Sequence, residues 1–66
     1  MIKFDLNGRK VALEEEVVRR LRTKALAGAG SSSTLNDLAV ILGRALSDGR
    51  PVTLQRAEAR ALERLL

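Results

Sequence analysis

Apolar and polar residues alternate from Ile2 to Leu6 and again from Arg9 to Leu13, with Asn7-Gly8 between the two runs. Period-two alternation is the signature of a half-buried strand. Asn-Gly supplies the pair of positive φ values that a type I′ turn needs. With those two residues as the turn, Leu6 faces Arg9, Asp5 faces Lys10, Phe4 faces Val11 and Ile2 faces Leu13. Ile2, Phe4, Leu6, Val11 and Leu13 then share one face, and Asp5 and Lys10 form an opposite-charge pair on the other. The pattern predicts a β-hairpin over 2–13. An isolated hairpin is marginal in water, so its apolar face has to rest on helices.

The period changes after Leu13. A first helix is predicted over 14–27, with Glu14, Glu15 and Glu16 at its positive end and Arg19, Arg20, Arg22 and Lys24 further along. Glu15–Arg19 and Glu16–Arg20 are i,i+4 pairs in the favourable order. Val17, Val18, Leu21 and Ala25 make its apolar stripe, and with no capping residue ahead of it, strand and helix are expected to join directly. The small residues over 28–33 read as a flexible connection. Thr34 reads as an N-cap, with Asp37 completing a variant capping box. The second helix is predicted over 35–47, with Leu35, Leu38, Ala39, Leu42, Ala45 and Leu46 on one face and Gly49 past its end. Arg50-Pro51-Val52 is extended. Thr53 reads as the N-cap of a third helix over 54–66, with Leu54, Ala57, Ala61, Leu62 and Leu65 inward. The segment Asp48–Leu54 echoes Asn7–Leu13, both leading from a turn through Val-x-Leu into a helix. That echo raises a short third strand over 51–54, confined to a sheet edge by Pro51.

These elements give an α+β class, mostly α, in one small domain. Composition sharpens the picture in one respect. Of the 66 residues, 45% are hydrophobic, yet Leu and Ala dominate and Phe4 is the only aromatic. So short a chain with no Cys has neither disulfide nor thiolate metal site to brace a small core, which makes self-association the expected source of extra stability. Val40, Ile41, Leu26, Leu65 and Leu66 exceed what three short helices bury internally. Val40, Gly43 and Ser47 lie together on the back of the second helix, where Gly43 admits a close neighbour and a two-fold dimer would follow. The candidate protein interface is therefore Val40, Ile41, Gly43, Ser47, Leu65 and Leu66.

Chemistry is sparse. The absence of both His and Cys removes most nucleophilic and metal-ligand constellations. Ser31, Ser32, Ser33 and Thr34 sit where capping and linker residues belong, with Lys24 the one base within reach of a Ser–Lys dyad. Glu14, Glu15 and Glu16 answer to the helix dipole, and Asp37, Asp48, Glu58 and Glu63 follow no calcium-loop spacing. Gly28-Ala-Gly30 lacks the third glycine and preceding strand of a dinucleotide loop. No enzyme activity, cofactor, metal or small-molecule substrate is expected. No segment is long and apolar enough for a membrane span, and the residues near Met1 do not read as a signal peptide, so a cytoplasmic protein is the expectation.

The net charge is +4, carried mainly by arginine. Arg56, Arg60 and Arg64 recur every four residues on the third helix and could track phosphates, with Arg44 and Arg50 adding to them. Base stacking on aromatics is excluded by composition, and the link between the second and third helices is too long for a helix-turn-helix. The segment Asp48–Leu66, with its Gly-x-x-Val-x-Leu strand leading into a Leu-rich helix that carries Glu58, resembles the start of a response-regulator winged-helix DNA-binding domain. The recognition helix and wing of that family follow such a segment, so the resemblance assigns no binding residue here. Two functions stand as expectations: a protein-interaction or oligomerisation module acting through the apolar faces of helices two and three, and a basic DNA-binding regulator using the arginine ridge.

Overall fold

The computed structural model describes all 66 residues, Met1–Leu66. In chain order the elements are β1 (Ile2–Leu6), β2 (Arg9–Leu13), α1 (Glu15–Gly28), α2 (Ser33–Asp48), β3 (Val52–Leu54) and α3 (Arg56–Leu65). The class is α+β, mostly α, as the pattern implies. The hairpin has the predicted register, with Ile2 opposite Leu13, Phe4 opposite Val11, Asp5 opposite Lys10 and Leu6 opposite Arg9. Asn7 and Gly8 take positive φ values of 55° and 103°. Asp5 commits a carboxylate oxygen to the Gly8 N–H, which donates to it over 2.7 Å and closes the turn.

The third strand is present. β3 lies parallel to β1, pairing Phe4 with Val52 and Leu6 with Leu54, and the sheet order is β2-β1-β3. β1 is thus the central strand, and β3 occupies an edge, where the missing N–H of Pro51 does no harm. Leu54, read as the first residue of the third helix, is instead the end of this strand. A link from its carbonyl to the Asn7 N–H, 3.2 Å long, ties β3 to the hairpin turn.

The start of α1 agrees with the sequence reading, and the starts of α2 and α3 differ from it. Glu14 is the single residue between β2 and α1, so strand and helix do join directly. α2 begins earlier than expected, at Ser33, because Ser32 and not Thr34 is its N-cap, accepting the Leu35 N–H at 3.3 Å. The connection shrinks accordingly to 29–32. Serine is the better N-cap of the two, and Ser32 has the extended conformation a cap requires. α3 begins at Arg56 with Gln55 as N-cap, not Thr53, which is held in the strand. A reciprocal capping box joins Gln55 and Glu58, whose carboxylate accepts the Gln55 N–H at 3.1 Å. The shift turns α3 so that Ala59 and Leu62 are buried and Ala57, expected inside, is exposed. Gly49 takes the left-handed φ of 68° that stops α2.

The three helices share one face of the sheet. The core is a single cluster of 13 apolar residues with no buried polar side chain, and Phe4, Leu38, Leu42, Leu54, Leu62 and Val18 are its largest members. α1 and α2 form an antiparallel pair: Gly28 faces Leu35 at the turn end, and Gly43 faces Arg22 further along.

Candidate protein-docking groove and arginine row

The same alternation that buries β1 fixes where surface chemistry collects. α3 runs antiparallel to α2, with its first turn beside Asp37, Val40 and Ile41 and its last turns beside the start of α2. Between those last turns and α2 lies a groove. Ala57, Ala61 and Leu65 of α3 and Leu35 of α2 give it an apolar floor, Ser32 and Thr34 stand at one end, and Arg60 and Arg64 form the rim. The floor exists because α3 is alanine-rich. Small side chains at 57 and 61 leave the helices in contact below and open above. Lys24 donates to the Leu65 carbonyl at 3.2 Å, which fastens the end of α3 to α1 and holds the groove's shape.

The arginine row on α3 is free of partners within the protein. Arg56, Arg60 and Arg64 are exposed. The chain's three ion pairs are Arg9–Glu63, Arg19–Glu15 and Arg20–Glu16, and none includes them. The two acids beside the row in sequence face elsewhere. Glu58 is held in the capping box, and Glu63 reaches the hairpin at Arg9 over 3.6 Å. Arg44 and Arg50 do not join this row. They sit with Ile41, Asp48 and Pro51 near the opposite end of α2 from the groove.

The expected helix-two interface is divided by the fold. Arg22 of α1 lies across Gly43, with Nε 3.2 Å from where a Cβ would stand, so within the chain the close neighbour that Gly43 admits is an arginine stem, which a two-fold packing through Val40, Gly43 and Ser47 would have to displace. Ile41 is half-buried against the core. Val40 is 54% exposed and Leu66 62% exposed, but they lie apart, Val40 among Asp37, Glu58 and Gln55, and Leu66 at the tip of α3. Leu65 alone of the expected interface residues lines the groove. Leu35, Ala57 and Ala61 were all expected in the core. Ala57 and Ala61, one helical turn apart, were the signal that this side of α3 is shallow, while Ala59 between them lies on the buried side.

No group of His, Cys, Asp or Glu side chains is arranged to hold a metal ion, and no helix is long and apolar enough to cross a membrane. A short strand leads directly into a helix from Val52 to Leu65. No protein-family model, curated protein or solved structure matches the chain.

Proposed function

We propose that this chain is a cytoplasmic, non-enzymatic protein-interaction module whose α2–α3 groove receives an apolar helical segment with acidic flanks from a partner protein. The observation that carries this reading is the combination of an apolar floor at Leu35, Ala57, Ala61 and Leu65 with two unpaired guanidinium groups, Arg60 and Arg64, on its rim. A helix laid in a groove is held by apolar anchors at i, i+3 and i+4. Rim charges add register and association rate more than affinity. The reading calls for no cofactor, metal or small-molecule substrate.

The test uses a labelled helix-forming peptide with a leucine stripe flanked by glutamates, followed by fluorescence anisotropy. Wild type is expected to bind it, Ala61→Glu to abolish binding by filling the floor, and Arg60→Glu with Arg64→Glu to weaken it about tenfold. Equal binding by all three proteins, or by none, would contradict the proposal.

One observation favours a second reading, DNA binding. Arg56 extends the unpaired row beyond the groove, where an apolar segment has no use for it. A duplex contacting three phosphates through Arg56, Arg60 and Arg64 would lose affinity with a log–log salt slope of about −2.7. An affinity insensitive to salt, or unchanged on reversing all three charges, removes that reading.

A further inference from the structure

We infer that the outer edge of β2 pairs with β2 of a second copy of this chain, joining two three-stranded sheets across a two-fold axis. The sheet order leaves β2 with β1 on one side and no neighbour on the other. Residues flanking a two-residue turn exchange both backbone hydrogen bonds, and bonded and non-bonded pairs then alternate. In the observed register, Leu6–Arg9, Phe4–Val11 and Ile2–Leu13 are the bonded pairs. The backbone N–H and C=O groups of Lys10 and Ala12 therefore point away from β1, into solvent. Glu14, still extended at φ −66° and ψ 148°, continues the line with its N–H, its carbonyl being taken by the Val18 N–H at 3.0 Å.

The side chains select the occupant and the register. Val11 and Leu13, on the core face of β2, are only half-buried, unlike Ile2, Phe4 and Leu6 of β1. Antiparallel pairing centred on Ala12 sets Val11 of each copy against Leu13 of the other and so completes their burial. On the opposite sheet face it sets Lys10 of each copy against Glu14 of the other, with the two small Ala12 side chains between. Opposite charges directly across an antiparallel pair are favourable and like charges unfavourable. Centring on Val11 would place Arg9 against Leu13, a charge against an apolar side chain, and centring on Lys10 would oppose two lysines. The assembly closes as a dimer because the other sheet edge offers little. β3 has three residues and follows Pro51, which has no N–H to donate.

The experiment is particle mass by light scattering across a concentration series of the full chain, with far-UV circular dichroism confirming the fold of each variant. Wild type is expected to approach twice 7.2 kDa. Lys10→Glu alone and Glu14→Lys alone each create two like-charge pairs, so each is expected to dimerise at least about tenfold more weakly. An equimolar mixture of these two variants restores both opposite-charge pairs and is expected to regain the dimer. Wild type that stays monomeric at every concentration overturns the inference. So does a dimer whose mass ignores both charge reversals, or a mixture no heavier than its components, since those place the contact on another surface.

Discussion

Phe4 is the one aromatic side chain, and it lies at the middle of the middle strand, 1% exposed. Truncating it opens the largest hole any single change can make in this core. Phe4→Ala is expected to cost about 3–5 kcal/mol, measured by urea unfolding. Gly43 tests a different residue-scale claim. Its neighbour is the flexible Arg22 side chain and not backbone, so an added methyl displaces that chain by a few tenths of an ångström while α2 gains helix propensity. Gly43→Ala is therefore expected to stabilise by about 0.5–1 kcal/mol. Loss of stability would mean that the glycine is needed for close packing. The sequence displays Gly43 clearly enough, but not the identity of what approaches it. That depends on how α1 folds back, and no local pattern encodes it.

At the scale of elements, the hairpin was legible to the residue because three independent constraints agreed: turn chemistry, alternation and cross-strand pairing. Helix starts were less legible. Ser32 and Thr34 compete for one cap, and Gln55 and Thr53 for another, and in each case the winner is chosen by the backbone leading into the helix. β3 holds Thr53 extended, and only the echo between Asp48–Leu54 and Asn7–Leu13 hinted at that strand. Single substitutions separate the caps. Ser32→Ala is expected to cost about 0.5–2 kcal/mol by removing the bond to the Leu35 N–H. Thr34→Ala is expected to change thermal stability little. The reverse order of effects would return the cap to Thr34. The groove was the least legible element. It arises from a rotation of α3 that follows from starting the helix at Arg56, which moves Ala57 from inside to outside and turns an expected core contact into an open floor.

The whole molecule places its charges unevenly. Five of the eight acidic side chains are taken up locally, by the turn at Asp5, the cap at Glu58 and ion pairs at Glu15, Glu16 and Glu63, and the other three, Glu14, Asp37 and Asp48, lie away from the Arg60–Arg64 rim. The net charge of +4 is consequently presented by arginines without partners, and those on α3 border the apolar floor. That arrangement is why one surface supports both a protein partner with acidic flanks and a polyanion. The two respond differently to salt. Apolar burial in the floor persists as ionic strength rises, whereas phosphate contacts fade.

A two-dimensional amide NMR titration of the labelled protein with the leucine–glutamate peptide, repeated with a DNA duplex and at raised salt, decides whether the groove is a docking site. The peptide is expected to shift the amides of Leu35, Ala57, Ala61 and Leu65, and these shifts are expected to survive salt. Shifts confined to Arg56, Arg60 and Arg64 on adding DNA, with the peptide leaving the groove amides unmoved, would contradict docking in the groove.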